Sequence, residues 1–302
     1  MVERKPKNSL RKAISLMSRV LKPLTLNSKV LFGFSVIVAL CVIAALEPII
    51  NYYRLGRSPM ETGVYPSLLR ESFEHPLGTD RLGRDIFGLV LVGLKYTLLI
   101  GFYAGALTAF VAIIIALFAG YKGGIYDSIL TFITNVFLVM PLWPILVSIA
   151  ALARVSMSMM CFVIAAFSWP WPTRTIRSQI LSLREREYIL LAKTSSLSDI
   201  EIIFTEILPN LLPYIGVSVA NAIVGAMLAE TGVRVVGFGP TDIPTLGLII
   251  FWTMQWGFIG SGRYLAVTVP VLILILIFSS LQLINVGLEE VYNPRLKKIT
   301  GL

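Results

Sequence analysis

Few residue combinations in this 302-residue chain have the types and spacing that catalysis requires. Ser218 lies in the string Gly216-Val-Ser-Val-Ala220, which has the outline of a nucleophile elbow but sits inside an apolar segment. The single histidine, His75, is far from Ser218 in the chain, so the serine has no base to activate it. Small residues in an apolar segment more often serve close helix contact. The sequence therefore predicts no catalytic residue, and the chain is not expected to be an enzyme.

Metal ligands are equally scarce. Cys41 and Cys161 both lie in apolar runs, which argues against a disulfide framework or a thiolate-bound metal. His75, Asp80 and Asp85 lie close together, but nickel would require at least a second histidine. We expect this chain to bind no metal.

The sequence also lacks an energy source of its own. It contains no G-x-x-x-x-G-K-[ST] phosphate loop, so neither ATP nor another cofactor is expected to bind here. An ion-coupled pump would place ionisable groups in mid-membrane, whereas Glu47 and Glu230 lie near the ends of apolar segments. Asn221 and Glu230 are the candidates for a transport pathway. They are nine residues apart and face nearly opposite directions on a helix, so at most one of them faces that pathway.

Composition points to a multi-span membrane protein. Hydrophobic residues make up 56% and charged residues 14% of the chain, with a mean hydropathy of +0.80. These values argue against a soluble enzyme, a disordered chain or a nucleic-acid partner. Six apolar segments have roughly the length that a membrane-spanning helix needs, namely 30–50, 96–119, 129–150, 152–171, 211–232 and 264–286. A shorter run at 246–258 is more typical of an interfacial or re-entrant segment.

Charge predicts the orientation of this all-α integral membrane fold. With the N-terminus inside, 17 of the 26 Lys+Arg residues fall on inner segments, in agreement with the positive-inside rule. The predicted order is a basic cytoplasmic segment at 1–28, a first transmembrane helix at 29–50 and an extracytoplasmic segment at 51–94. A five-helix core follows at 95–296 with a cytoplasmic loop at 171–210, and the tail at 297–302 is again cytoplasmic.

The inner loop has the pattern of a docking element. Good helix formers predict a helix over 184–194, with Tyr188, Leu191 and Ala192 on one side. Ser198 followed by Glu201 is a capping box that starts a second short helix. Two short helices at an angle, fixed between two spans, would present a rigid surface to the cytoplasm.

These segments resemble the permease subunits of ABC importers of the dipeptide/oligopeptide/nickel class, in particular the second, C-type permease. The matching strings, in the family's order, are His75-Pro-Leu-Gly-Thr-Asp-Arg-Leu-Gly-Arg-Asp85, Leu181-Ser-Leu-Arg-Glu-Arg-Glu-Tyr188, Ala226-Met-Leu-Ala-Glu230 with Gly237-Phe-Gly239, and Gly287-Leu-Glu-Glu-Val-Tyr-Asn-Pro-Arg-Leu296. The resemblance implies the type I permease fold in the plasma membrane. It also implies a homologous second permease, two cytoplasmic ATPases that bind ATP and Mg, and an extracytoplasmic substrate-binding protein.

The resemblance assigns the inner loop to contact with the ATPases. The positions that match the family's coupling loop, or stand where it has a key residue, are Glu187, Tyr188, Ala192, Ser196, Asp199, Leu208 and Pro209. Ser196 stands where the family has a glycine, and serine adopts positive φ reluctantly. Under this hypothesis Ala192→Asp abolishes ATP-dependent uptake while the subunit still inserts, and Ser196→Gly is tolerated.

The outer motif has two interpretations that the sequence leaves open. Its characteristic residues are His75, Gly78, Asp80, Gly83, Arg84 and Asp85. They form either a landing surface or lid for the substrate-binding protein, or a charge-balanced turn that anchors the start of the second span.

The cargo is the least determined property. The resemblance favours short peptides over oligosaccharides, with nickel complexes as a further possibility. From another class, a self-sufficient channel or ion-coupled carrier remains the competing hypothesis.

Overall fold

The computed structural model describes residues 27–152, 155–195 and 197–292, and within these ranges every regular element is helical. The helices are α1 (Ser28–Leu55), α2 (Ile86–Lys122), α3 (Gly124–Val139), α4 (Leu142–Leu152), α5 (Met157–Ser168), α6 (Pro170–Arg184), α7 (Glu187–Thr194), α8 (Asp199–Ile202), α9 (Leu208–Val235), α10 (Leu246–Gln255) and α11 (Tyr264–Tyr292). A single π-helical turn, Ile203–Ile207, joins α8 to α9. The predicted segments 1–28 and 297–302 lie almost wholly outside the described residues.

Four of the described stretches are long and apolar enough to cross a membrane: α1, α2, the run Asp199–Val235 that contains α8 and α9, and most of α11. Helices α3 and α4 provide a fifth if they count as one span, although they meet at an angle of 75°. Pro141 lies at that break, where its ring and missing N–H interrupt the helix. The fourth predicted span, 152–171, contains the 12-residue α5 and only the terminal residues of α4 and α6. The count of six spans therefore stays a prediction, as does the orientation of the two ends.

Helix α2 is longer than the span expected at 96–119, because it begins at Ile86. Asp85 caps its first turn by accepting a hydrogen bond from the backbone N–H of Gly88 at 2.6 Å. The 10-residue α10 matches the short run predicted at 246–258, and its length falls short of a membrane crossing.

Helices α2 and α9 are in close contact through small residues. A Cβ on Gly105 would lie 2.5 Å from the Cα of Ile223, and one on Gly101 would lie 2.0 Å from the Cγ of Met227. Only glycine permits this approach. The fifth-span glycines behave differently, since a Cβ on Gly216 or Gly225 would meet no atom within 4 Å. Gly101 and Gly105 thus pack within the chain, while Gly216 and Gly225 border open space.

Helices α1 and α11 are antiparallel and joined at one end. Lys29 forms an ion pair with Glu290, and Asn27 donates a hydrogen bond to the same carboxylate. The close approach again depends on glycine, because a Cβ on Gly33 would lie 2.5 Å from the carbonyl oxygen of Ser280. This contact fixes α1 to the outside of the bundle.

The loop between α6 and α9 forms two short helices, as predicted, with different bounds. The helix expected at 184–194 is divided, because α6 ends at Arg184 and α7 begins at Glu187. The capping box of Ser198 and Glu201 is present and starts α8. We call α7, α8 and the turn between them the knob. Through the π-helical turn, α8 continues into α9 without an interruption of the helical backbone.

Candidate functional site

A cavity of about 860 Å³ lies among α2, α3, α5, α6 and α9, with one residue each from α4 and α11. Its described lining is Thr108, Phe137, Leu138, Met140, Leu142, Phe167, Ser168, Pro170, Trp171, Pro172, Thr175, Gln179, Pro213, Tyr214, Val217, Ser218, Asn221, Ala222, Gly225 and Glu289. Aromatic and neutral polar residues make up half of this wall, and aliphatic residues, proline and glycine make up most of the rest. Glu289 is the one charged side chain in that set. Such a surface offers apolar contact and hydrogen bonds to a solute without selecting strongly by charge.

Asn221 is the pathway candidate that lines this cavity. Its Oδ1 accepts a hydrogen bond of 2.8 Å from the Nδ2 of Asn285 on α11. Asn285 is only 2% exposed, and its own Oδ1 has no partner among the described residues. A buried amide with an unmet acceptor in an apolar helix destabilises the fold, so its presence points to function. The pair holds the Asn221 side chain in a fixed orientation at the cavity wall.

Glu230 occupies a different environment. Its Oε1 accepts a hydrogen bond of 3.1 Å from the Nε of Arg234, one turn later, and both side chains are essentially inaccessible to solvent. Neither lines the cavity. Gly247 on α10 packs against this turn, where a Cβ would lie 2.8 Å from the carbonyl oxygen of Thr231. The structure thus places Asn221 at the cavity and Glu230 in a buried ion pair at the other end of α9.

The knob presents apolar side chains on its exposed side. Leu190, Leu191, Leu197, Ile200 and Phe204, the last in the π-helical turn, are all exposed. Leu191 and Ile200 reach 67% and 68% exposure. An exposed apolar patch of this kind is typical of a protein-interaction surface.

Ala192 does not lie on that surface. It is 8% exposed and packs with Ile189, Ile202 and Ile207 against the bundle. The expectation that Ala192 lies on one exposed side with Leu191 is therefore wrong in this chain, because adjacent helical residues point about 100° apart. Tyr188 is exposed at the rim of the knob.

The remaining coupling-loop residues that the structure describes take up ordinary positions at helix ends. Glu187 is an exposed residue in the first turn of α7, where a carboxylate stabilises the helix N-terminus. Leu208 and Pro209 form the start of α9, and proline is compatible with a first turn. Asp199 accepts a hydrogen bond from Tyr121 on α2. Ser196 lies outside the described residues.

The outer motif forms a buried clasp, which we define as residues 75–85 together with Arg54. Asp85 Oδ2 accepts a hydrogen bond from Arg54 Nη2 at 2.6 Å and lies 2.7 Å from His75 Nδ1. Asp80 pairs with Arg84 at 2.6 Å, and its other oxygen accepts two backbone N–H groups. Four of these side chains, namely those of His75, Asp80, Arg84 and Asp85, are buried.

Two glycines shape the clasp. Gly78 and Gly83 have φ angles of +74° and +68°, and a Cβ would lie 2.4 Å from the Leu69 carbonyl oxygen or 2.2 Å from that of Tyr65. Only glycine tolerates both the backbone conformation and the close approach. Of the two interpretations that the sequence leaves open, this geometry favours the turn that anchors α2. Exposed apolar side chains occur both outside the motif, at Phe73, and within it, at Leu82.

Several residues of these sites were missed at the level of sequence. Asn285 and Glu289 are four residues apart at and just beyond the end of the last apolar segment, and this spacing could have placed them on one face. Tyr121 and Arg54 act through contacts 78 and 31 residues away, which no local pattern reveals.

Comparisons with known proteins agree with this architecture. Residues 112–298 match the family model described as "Binding-protein-dependent transport system inner membrane component". A dipeptide transport system permease protein, DppC, of Alkalihalophilus pseudofirmus is 29% identical over 286 residues, covering 94% of this chain and 92% of the relative. An oligopeptide transport system permease protein, OppC, of Mycobacterium tuberculosis is 30% identical over 230 residues, covering 73% and 76%.

A solved structure of the MetNI methionine ABC transporter in an inward-facing conformation covers 66% of this chain and 96% of its own, with 18% identity and a TM-score of 0.49. The resemblance to ABC importer permeases is confirmed by the family match. The family match covers more than half of the chain, and several of its helices are long enough to cross a membrane. The chain is therefore a multi-pass protein of the plasma membrane that belongs to the binding-protein-dependent transport system inner membrane components.

Proposed function

We propose that this chain is one of two permease subunits of an ATP-driven importer that moves short peptides across the plasma membrane. The observation that carries the proposal is a large, nearly uncharged cavity whose wall includes α9, the helix that continues directly from the knob. The peptide relatives support the choice of cargo. A homologous second permease, two ATPases that bind ATP and Mg, and an extracytoplasmic binding protein complete the proposed machine.

The wall of the cavity supports peptide cargo on chemical grounds. Peptides vary in side chain but share neutral amide groups, which hydrogen-bond with neutral polar side chains such as Asn221, Gln179 and Ser168. The aromatic residues provide apolar contact for variable side chains. The volume of about 860 Å³ lies within the range typical of small-molecule sites.

The knob is the proposed docking surface for the ATPases. Its exposed leucine and isoleucine side chains, together with Phe204 of the adjoining π-helical turn, would be buried by a partner, and this burial would favour association. Closure of the ATPases would then turn the knob and, through the π-helical turn, reorient α9 at the cavity. The result would be alternating access by rocking of the bundle.

Two alternative functions can be distinguished from the proposed one by experiment. Aromatic walls also suit sugar rings, so the same architecture could import oligosaccharides. A self-sufficient channel or ion-coupled carrier would need neither ATP nor partners. Glu230 is the ionisable pathway candidate, but it forms a buried ion pair with Arg234 and does not line the cavity.

The proposal is tested with the complex purified through a tag on this chain and reconstituted in proteoliposomes. Labelled trialanine is offered with the binding protein outside, and ATP is trapped on the ATPase side. We expect uptake only with ATP and the binding protein, and weaker uptake of maltotriose. Uptake by this chain alone without ATP would overturn the proposal in favour of a channel, and maltotriose transport that exceeds trialanine transport would overturn the cargo.

A further inference from the structure

The end of α2 is held by both short helices of the knob. The ring of Tyr121 is buried in the cluster that contains Ile189 of α7 and Ile202 of α8. Its hydroxyl donates a hydrogen bond of 2.8 Å to Asp199 Oδ1 in the first turn of α8. The Nζ of Lys193, on α7, lies 5.6 Å from the centroid of the same ring. One tyrosine side chain therefore contacts both parts of the knob.

Charged neighbours hold the same helix end from two sides. Lys122 Nζ lies 3.8 Å from Asp199 Oδ2, an exposed pair that contributes little by itself. Arg184 Nη1, at the end of α6, lies 3.2 Å from the carbonyl oxygen of Gly120 and 3.4 Å from that of Tyr121. Carbonyls in the last turn of a helix have no partner within the helix, so this arginine satisfies and anchors them.

Space for Arg184 depends on the residue after α2. A Cβ on Gly123 would lie 2.6 Å from Arg184 Nη1, and Gly123 adopts a φ of +68°. The knob, the end of α6 and the end of α2 thus form one connected unit.

The other end of the connection is the cavity. Helix α2 contributes Thr108 to the cavity wall, and α9 contributes Ser218, Asn221 and Gly225. On the N-terminal side of Thr108, α2 touches α9 through Gly101 and Gly105. A displacement of the knob can therefore reach the cavity through two different helices. One runs directly into α9, and the other runs into α2 through Tyr121.

We propose that Tyr121 is a positioning residue that makes α2 follow the knob, so that α2 and α9 move together at the cavity wall. This inference rests on the proposed function, since it assigns a role within ATP-driven coupling. Without the Tyr121 hydroxyl, α9 would still respond to the knob but α2 would lag. ATP would then be hydrolysed with less cargo moved per cycle.

Tyr121→Phe is the direct test, because it removes the hydroxyl and keeps the ring in its apolar cluster. The matched control is Tyr126→Phe. Tyr126 is an exposed tyrosine near the same end of the bundle, and its hydroxyl has no partner within the described residues. Trialanine uptake and ATP hydrolysis are measured on the same reconstituted complexes, and the thermal midpoint of each complex is recorded.

We expect Tyr121→Phe to lower the ratio of trialanine transported to ATP hydrolysed by about threefold to tenfold, because one hydrogen bond contributes a factor of that order to an equilibrium and the Asp199 side chain is 60% exposed. ATPase activity and the thermal midpoint should stay near wild type, and Tyr126→Phe should leave the ratio unchanged. In the double variant with Asp199→Ala, the two losses in this ratio should not add, because both substitutions remove the same hydrogen bond.

An unchanged ratio in Tyr121→Phe would overturn the inference while leaving the proposed function intact. So would a proportional loss of uptake and hydrolysis with a lowered thermal midpoint, because that result describes a purely structural residue. Absence of ATP-dependent trialanine uptake in the wild-type complex would instead remove the proposed function and this inference with it.

Discussion

Asn285 on α11 donates a hydrogen bond of 2.8 Å to Asn221 on α9, and only Asn221 of the two lines the cavity. The buried amide therefore orients the exposed one. We predict that Asn285→Leu lowers trialanine uptake about fivefold to tenfold through a raised KM, because a freely rotating Asn221 loses its preorganised hydrogen bond to cargo. Uptake kinetics in proteoliposomes measure this effect.

The control for this prediction is Asn135→Leu. Asn135 is also an asparagine in an apolar helix, but it is exposed and does not line the cavity. It should leave the KM unchanged. Equal effects of the two substitutions would mean that polarity in the helices matters in general and that the Asn221–Asn285 pair has no special role.

The exposed face of the knob gives the second prediction. Ile200→Asp places a charge at a 68% exposed position, where folding tolerates it but an apolar docking contact does not. We expect the variant to insert normally and to lose most co-purifying ATPase. Co-purification through a tag on this chain measures the loss, and retention of stoichiometric ATPase would place the docking surface elsewhere.

Ala192→Asp is predicted to act differently. Because Ala192 packs against Ile189 and Ile202, a carboxylate there is buried without a partner and destabilises the knob itself. Limited proteolysis should cleave the 187–202 region faster in Ala192→Asp than in Ile200→Asp. Loss of ATP-dependent uptake in Ala192→Asp would therefore reflect a damaged knob, and comparison with Ile200→Asp separates docking from folding.

Local patterns predicted the elements of this fold better than the side-chain partners. Long apolar runs indicated α1, α2, α9 and α11, since any helix that crosses a membrane must satisfy its backbone internally. The capping box could be predicted because Ser198 and Glu201 are only three residues apart in the sequence. The burial of Ala192 could not be predicted from the sequence, because the side of α7 that faces the bundle depends on the angle between α6 and α7. The Asp85–Arg54 pair likewise depends on how α1 and α2 pack.

The buried ion pair of Glu230 and Arg234 gives the fourth prediction. Arg234→Leu leaves an uncompensated carboxylate in the interior, and the loss of one partner of such a pair costs about 3–5 kcal/mol of folding free energy. We expect a lower thermal midpoint in detergent and less protein in the membrane. The double variant Glu230→Leu with Arg234→Leu should recover much of the stability. If the double variant is as unstable as Arg234→Leu, packing of the arginine stem and not charge compensation explains the loss.

The clasp gives the last prediction, which concerns Gly83. At a φ of +68°, with the Tyr65 carbonyl oxygen 2.2 Å from the place of a Cβ, alanine would force the backbone of the clasp to move. Asp80 accepts backbone N–H groups from Leu82 and Arg84 on either side of this glycine, so the movement would also break those bonds. We expect Gly83→Ala to lower the thermal midpoint and to expose the N-terminal turn of α2 to hydrogen exchange. The control is Gly63→Ala, at a φ of +72° with no atom within 4 Å of the added Cβ, which carries the conformational strain without the clash. Faster exchange at Ile86–Leu89 in Gly83→Ala alone would establish that the clasp anchors α2, whereas unchanged exchange with weakened binding-protein association would restore the landing-surface interpretation.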